Sequence, residues 1–183
     1  MIHNAFWALG PNVTGYPGGF PNGLLQRLER EGYLQPPVLH VCSGSVKAGI
    51  TVDIKRENGP TVCADGEYLP FRSPPPFVRT AMIDPPYSEG KAADLYALPL
   101  INVVTAVSEM ARIVQPGGRL IIFDLRVWHD SLGKVLRANG LEYEALIACH
   151  MANRGPKPLR AIAIYRKTGG AQIPAPTTLE AFS

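Results

Sequence analysis

Seven short apolar segments, set apart by turns and by stretches of helical spacing, constrain the fold of this 183-residue chain more than any other feature. Several of them are apolar nearly throughout, as strands are when both faces of a sheet are buried. Such strands alternating with helices predict an α/β fold built on a mostly parallel sheet. In chain order the segments are PVLHVCS, GITVDI, PTVCAD, VRTAMID, GRLIIFDL, YEALIAC and LRAIAIYRK.

Three stretches before or between these strands have apolar residues at helical spacing. Asn22 can cap the first, and Gly32 can close its end. The second carries a continuous apolar stripe that we expect to be core, and a Gln-Pro-Gly-Gly sequence ends it. Asp130 or Ser131 begins the third, and Gly140 ends it. The predicted helices span residues 22–32, 99–114 and 130–140.

The connection between the first two predicted strands is unusually short, because only about seven residues separate Ser43 from Thr51. A crossover between parallel strands normally takes a dozen or more residues. We therefore expect either a vestigial helix at this connection or two strands that are not neighbours in the sheet.

Composition is typical of a globular chain with a single core. Hydrophobic residues make up 46% and charged residues 18%, which is far from the composition of disordered proteins. No apolar run approaches the roughly 18–20 residues of a membrane helix, and the amino-terminal sequence lacks signal-peptide features, so we expect a cytoplasmic protein. Cys42, Cys63 and Cys149 are odd in number and are not at zinc-ligand spacing, which favours reduced thiols and no metal site.

Polar residues stand where the first five predicted strands end. The first strand is followed by Ser43, Gly44 and Ser45, and the next four end at acids. Ligands of open α/β sheets bind outside the carboxyl ends of the strands, where loops vary while the sheet stays rigid. Four carboxylates and a Gly/Ser turn at one edge suit a neutral cofactor made of an adenosine with further polar groups. The acids are Asp53, Asp65, Asp84 and Asp124.

These motifs, in this order, resemble those of the class I S-adenosylmethionine-dependent methyltransferases, and within them the amino-group methyltransferases marked by DPPY. VLHVCSGS is similar to the cofactor-binding first motif, TVDI to the second strand with its ribose-binding acid, ADGEYLPF to the third motif and IDPPYS to the catalytic fourth. ARIVQPGGRLIIFD is similar to the helix, turn and fifth strand that commonly follow, and YPGGFPNGLL to a segment upstream of the first motif. The resemblance covers roughly residues 16–167 and rests on several motifs rather than on one.

The resemblance implies one Rossmann-like methyltransferase domain, whose mostly parallel, seven-stranded sheet has an antiparallel last strand. Residues 36–167 would form this core. Residues 1–35 would form an amino-terminal segment and a helix that packs near the cofactor site, and residues 168–183 a flexible tail.

S-adenosyl-L-methionine is the cofactor that the resemblance implies. Asp53 would accept hydrogen bonds from the ribose hydroxyls, and Asp65 would take the adenine amino group. Taken alone, either acid could equally cap a turn at a strand end. Two positions depart from the family pattern, because His40 stands at the usual acid and Val46 at the last glycine of the first motif. The remaining expected cofactor contacts are Cys42, Ser43, Gly44, Ser45, Ile54, Gly66 and Asp84.

The two prolines after the fourth acid explain why that strand stops there. Proline removes a backbone donor and holds the preceding residue extended, so Pro85 and Pro86 end the ladder and stiffen the next segment. The Asp84 carboxylate and the Pro85 carbonyl could then accept both protons of one exocyclic NH₂ group and aim its lone pair at a sulfonium methyl. Tyr87 would stack on the ring that bears the amine. We expect catalysis by positioning and electrostatics, without a formal general base.

The favoured acceptor is an exocyclic amino group of a nucleobase, first of all N6 of adenine in DNA, which a duplex would present flipped out. RNA, a free nucleotide and a protein amide remain open, as does a noncatalytic binding module of the same fold. The sequence shows no separate target-recognition domain, so selectivity would be low or would come from a homodimer or a partner protein.

The formal charge of +3 does not prove a polyanionic partner, although basic residues gather in the carboxyl-terminal third. A loop joining the last two strands could hold phosphates there, or could simply be solvated. Tyr16, together with Phe20 and Pro21, could form a lid or a packed surface turn. The expected substrate contacts are Tyr16, Tyr87, Asp124, Arg154, Lys157 and Arg160.

Overall fold

The computed structural model describes residues 2–16, 19–72, 77–96, 100–127, 129–151 and 159–169. In chain order its elements are β1 (His3–Leu9), α1 (Leu24–Arg30), β2 (Val38–Val41), β3 (Ile50–Asp53), a short 3₁₀ turn (Arg56–Asn58), β4 (Val62–Cys63), β5 (Val78–Ile83), α2 (Glu89–Tyr96), α3 (Val103–Ile113), β6 (Val114–Asp124), α4 (His129–Ala138), β7 (Leu141–Met151) and β8 (Arg160–Lys167).

The strands form one sheet in the order β1-β7-β8-β6-β5-β2-β3-β4. All neighbouring pairs are parallel except those of β8, which runs antiparallel to both β6 and β7. The predicted architecture is confirmed, with eight strands rather than seven. The additional strand is β1, which pairs with β7 from His3 opposite Ala145 to Leu9 opposite Met151.

The structure shows neither of the two alternatives expected for the short connection after β2, a vestigial helix or strands that are not neighbours. Strands β2 and β3 are parallel neighbours, with Leu39 opposite Ile50, and the connection between them contains no helix. Tight backbone geometry makes this possible, because Gly49 has φ 74° and a Cβ there would lie 2.7 Å from the Val38 carbonyl oxygen. The Ser43 N–H donates to the Val52 carbonyl and joins the turn to β3.

Helix boundaries differ in detail from the predicted ones. Asn102 is the N-cap of α3, where its side chain accepts hydrogen bonds from two backbone N–H groups, so this helix begins after residue 99. Gly23, not Asn22, occupies the N-cap position of α1, and no side chain caps that helix. Gly32 closes α1 as expected, with φ 76°. Helix α2 was not predicted.

Apolar side chains form a core on each face of the sheet. One core packs the buried stripe of α3 and the inner side of α4 against the central strands. The other packs α1 and Trp7 against β6, β7 and β8. None of the described helices is both long and apolar enough to cross a bilayer. The carboxyl ends of β2, β3 and β5 thus meet at one rigid edge.

Candidate active site

A cavity opens at the carboxyl ends of β2, β3, β4 and β5. The space at this site is about 900 Å³, a value that includes open solvent at its mouth. The structure brings every predicted cofactor residue to this cavity, together with Tyr16, Phe20 and Pro86. The predicted cofactor residues in the lining are Cys42, Ser43, Gly44, Ser45, Asp53, Ile54, Asp65, Gly66 and Asp84.

The turn after β2 is shaped by left-handed backbone at Cys42 (φ 54°) and Gly44 (φ 51°). A Cβ on Gly44 would lie 2.8 Å from Cε1 of Tyr16, whose ring covers the turn. The Tyr16 hydroxyl in turn accepts a hydrogen bond from Asn58 at 3.1 Å. Gly44 is therefore required both for its dihedral angle and for the closeness of the aromatic ring.

Asp53 connects the turns that follow β2 and β3. Its Oδ2 accepts from the Gly44 N–H and its Oδ1 from the Lys55 N–H, both at 2.8 Å. The side chain is buried, so these bonds organise the cavity wall itself. A carboxylate oxygen has two lone-pair positions, and Asp53 therefore keeps acceptor capacity for a ligand.

Asp65 organises the turn after β4 in the same way. Its Oδ1 accepts from the Glu67 N–H at 2.9 Å. The turn carries Gly66 against the sheet, where a Cβ would lie 2.6 Å from Cγ1 of Val41 and 3.0 Å from Cδ1 of Ile101. Only glycine fits this approach, so the cavity wall at this turn is formed by backbone packed closely against β2.

Two features of the lining fit an adenosine-containing cation. Ser43 is buried, and its Oγ has no hydrogen-bond partner among the described residues, although a buried hydroxyl without a partner is unfavourable. Four carboxylates and one ammonium group lie in the described lining, which is thus net negative and better suited to a cation than to phosphates. The charged residues are Asp53, Lys55, Asp65, Glu67 and Asp84.

Cys42 lies among these acids. Burial raises the pKa of its thiol, and the nearby charges of Asp53 and Asp84 raise it further. The thiol is therefore protonated and unreactive as a nucleophile at neutral pH.

Asp84, at the exit of β5, is paired with Arg160. Nη2 of the guanidinium donates to Oδ1 of the carboxylate at 2.5 Å, and the two side chains are 7% and 9% exposed. The Tyr87 hydroxyl donates to the same oxygen at 3.3 Å. Burial raises the pKa of Asp84 to about 6, with Arg160 and Tyr87 acting to lower it and the charge of Asp124 acting to raise it.

Only part of the DPPY segment lines the cavity. Asp84 and Pro86 line the cavity, whereas Pro85 and Tyr87 are not among its described lining residues. The Tyr87 ring lies instead beneath the Arg160 guanidinium, whose carbon is 4.7 Å from the ring centroid. Stacking of Tyr87 on an acceptor ring stays a prediction.

Arg160 corrects one prediction from the sequence. The sequence predicts it on a loop that either holds phosphates or is simply solvated, whereas it is the first residue of β8 and is buried against Asp84. The reason is the direction of β8: an antiparallel last strand begins at the edge where the parallel strands end. Its guanidinium carbon lies 3.5 Å from the centroid of Phe123 on β6. Arg154 and Lys157, predicted on the same loop, lie outside the described residues.

Asp124 and Phe20, two further residues considered for the substrate side, lie in different surroundings. Asp124 is buried at the end of β6, where its Oδ1 accepts from the Leu125 N–H, and it is not among the described lining residues. Phe20 lines the cavity and packs against Phe123, with centroids 5.8 Å apart. Tyr16 and Phe20 therefore belong to the cavity wall.

Glu67 is a lining residue that the sequence analysis did not identify. Its Oε1 accepts from the Asn102 N–H at 2.8 Å and joins the turn after β4 to the start of α3. Glu67 could have been predicted from its place two residues after Asp65, because both residues belong to one turn.

No family model and no curated protein sequence matches this chain. Solved structures do, at low identity. The N-methyltransferase NodS from Bradyrhizobium japonicum, in complex with S-adenosyl-L-homocysteine, aligns with a TM-score of 0.53 at 15% identity, over 78% of this chain and 83% of that chain. A SAM-dependent methyltransferase from Methanosarcina mazei aligns at 0.51 and 13% identity, over 76% and 97%.

TrmN from Thermus thermophilus aligns with a TM-score of 0.51 at 17% identity, over 81% of this chain and 49% of that chain. Together these likenesses show that the chain has the Rossmann-like methyltransferase fold that its motifs predict.

Proposed function

We propose that this protein is an S-adenosylmethionine-dependent N-methyltransferase that acts on an exocyclic amino group of a nucleobase, with N6 of adenine in DNA as the first acceptor to test. One observation carries the proposal: the predicted cofactor residues and Asp84 of the DPPY motif line a single cavity at the carboxyl edge of the sheet. A similar fold in NodS holds S-adenosyl-L-homocysteine, the demethylated form of the cofactor.

The chain would hold the cofactor through groups already in place. Asp53 would accept from the ribose hydroxyls and Asp65 from the adenine amino group, and the Ser43 hydroxyl, which has no partner among the described residues, would gain one. When bound, S-adenosylmethionine supplies an electrophilic methyl group on a sulfonium. The carboxylates of the lining favour that positive charge.

Asp84 and Pro85 would orient the acceptor. An exocyclic amine is a weak nucleophile because its lone pair is delocalised into the ring. Hydrogen bonds to the Asp84 carboxylate and the Pro85 carbonyl would rotate that lone pair out of conjugation and stabilise the positive charge that develops on nitrogen. A nitrogen–carbon bond forms as the carbon–sulfur bond breaks, and the proton leaves the amine afterwards.

Asp84 retains an oxygen for this task. Both described hydrogen bonds to its carboxylate go to Oδ1, and no described residue donates to Oδ2. An ionised carboxylate can accept at each oxygen, so the ion pair and an acceptor amine can share Asp84.

The test begins with cofactor binding. Isothermal titration with S-adenosylmethionine should give heat for the wild type and much less for Asp53→Ala, while Glu57→Gln, an exposed change on the neighbouring 3₁₀ turn, should leave binding intact. No heat at about 1 mM cofactor, an affinity weaker than about −4 kcal/mol, would contradict the proposal.

The second step identifies the acceptor. Tritiated cofactor is incubated with DNA, RNA, free nucleotides and protein, and the labelled atom is determined. Label on N6 of adenine in DNA is the expected result. Label on RNA, a nucleotide or a protein amide would keep the methyltransferase and change its acceptor, whereas cofactor binding without transfer to any of them would indicate a noncatalytic module.

A further inference from the structure

Arg160 is a buried cation whose described contacts include two residues of the DPPY segment, Asp84 and Tyr87. Among the described residues its guanidinium has one hydrogen-bond acceptor, Oδ1 of Asp84, and its Nε is buried without a partner. The guanidinium lies between two rings, over Phe123 at 3.5 Å and over Tyr87 at 4.7 Å. Two residues of the motif are thus held by one side chain from β8.

The Arg160 side chain is held rigidly beside Asp84, and it is not placed to move away and expose the carboxylate. Phe123 is fully buried in β6, and the β8 backbone is paired in register with β6 and with β7, where Arg160 lies opposite Cys149. Moving the guanidinium away would leave a charge buried without its counter-ion, which is strongly unfavourable. Planar stacking on aromatic faces further restricts its orientation.

The pairing also decides which carboxylate oxygen remains available. The guanidinium and the Tyr87 hydroxyl both occupy Oδ1 and thereby oppose rotation of the Asp84 side chain. Oδ2 is the oxygen to which no described residue donates. A carboxylate held at one oxygen presents the other in a single direction, which is what an acceptor amine requires.

We propose that Arg160 is a positioning residue of the reaction centre: it holds the Asp84 carboxylate in one orientation and leaves Oδ2 for the acceptor amine. This role rests on the proposed function. It differs from a phosphate contact, because the guanidinium acts through Asp84 and does not touch the substrate.

The charges around Asp84 give a readout that simple loss of packing would not change. Arg160 on β8 and Tyr87 after β5 lower the pKa of Asp84, whereas burial and Asp124 at the end of β6 raise it from its usual range to about 6. Cys42, after β2, also faces this carboxylate, and its raised pKa keeps its thiol neutral. Without Arg160, burial and Asp124 act against Tyr87 alone.

The experiment compares Arg160→Gln, Arg160→Lys and Arg166→Gln. The last is the matched control, because Arg166 is exposed on the same strand. The Asp84 carboxyl is titrated by ¹³C NMR, with its signal assigned from Asp84→Asn, and kcat/KM is measured against pH. In Arg160→Gln the pKa of Asp84 should rise by about 1–3 units, the usual influence of a neighbouring arginine, and the acid limb of the rate profile should move with it.

Arg160→Lys should keep the pKa of Asp84 near its wild-type value but lower kcat, because a lysine lacks the planar fork and the stacking. Arg166→Gln should change neither quantity. If Arg160→Gln does not fold, Phe123→Leu removes the ring under the guanidinium and should lower kcat in the same way as Arg160→Lys, with the ion pair kept.

An unchanged Asp84 pKa in Arg160→Gln would refute the positioning role, whatever the acceptor assay gives. A rise in kcat on removing Arg160 would refute it as well, since that result is expected of a residue that blocks access to Asp84. Wild-type protein that transfers no methyl group, with the Asp84 pKa still raised in Arg160→Gln, would refute the proposed function and leave the pairing intact.

Discussion

Replacing Asp84 by asparagine should destabilise the protein as well as stop the proposed reaction. The change leaves Arg160 buried at 7% exposure with no carboxylate, and Asp84 is its single described hydrogen-bond acceptor. Breaking a buried pair at one partner costs about 3–5 kcal/mol. The asparagine carbonyl can still accept a neutral hydrogen bond worth about 1 kcal/mol, so we expect a net loss of about 2–4 kcal/mol.

Urea unfolding followed by circular dichroism measures this loss in a cycle of wild type, Asp84→Asn, Arg160→Met and the double variant. The double variant should regain much of the stability, because neither charge is then left alone. Melting temperature should fall by about 5–15 °C in Asp84→Asn, at about 2–4 °C per kcal/mol for a chain of this size.

Glu31→Gln is the control, because its pair with Arg30 has side chains that are 41% and 72% exposed. A partly solvated pair of that kind should contribute about 0–1 kcal/mol. Asp84→Asn within about 1 kcal/mol of wild type would refute the reasoning, since a buried guanidinium would then tolerate losing its partner. Single losses that simply add in the double variant would refute it too.

Three further predictions concern the turn, the buried histidine and the end of α3. Gly44→Ala should weaken cofactor binding at least about tenfold by calorimetry, because its Cβ meets Tyr16. Gly32 also has a positive φ, 76° against 51° at Gly44, but open space around it, so Gly32→Ala should leave binding unchanged. Burial lowers the pKa of His40 to about 4, below the unfolded value near 6.5, so wild type should lose stability as pH falls through this range. His40→Leu should abolish that loss, so near pH 4 its free energy of unfolding in urea should gain up to about 3 kcal/mol relative to wild type. Free energies of unfolding that fall in parallel with pH in the two proteins would contradict this prediction. Lys167→Met removes the ammonium that donates to two carbonyls at the end of α3 and should cost about 1–3 kcal/mol by the same assay, and an unchanged midpoint would exclude that capping role.

The central part of the fold was predictable because its strands are buried on both faces. In β5 the residues from Thr80 to Ile83 are all buried, and such a run has few alternatives to a parallel strand. Strand β1 escaped prediction for the opposite reason. It lies at the edge of the sheet and places Phe6, 61% exposed, between half-buried Ala5 and buried Trp7, so its sequence carries only a weak strand pattern.

The site was predictable where its residues follow one another along the chain, and not where the fold joins distant ones. Gly44, Asp53, Asp65 and Asp84 each end a strand or begin the turn after it, and their convergence follows from parallel topology alone. The partner of Asp84 lies 76 residues away. Arg160 can be found only from the antiparallel direction of β8 together with the finding that no other described residue accepts from its buried guanidinium.

The excess of carboxylates in the cavity has a consequence for turnover under the proposed chemistry. Substrate and product forms of the cofactor differ by one positive charge at sulfur, which is lost when the methyl group leaves. The described part of the lining has four acids and one lysine, and it should therefore hold the sulfonium more tightly than the thioether that remains. The electrostatic attraction that loads the enzyme would weaken at the moment of transfer and so assist the departure of the spent nucleoside.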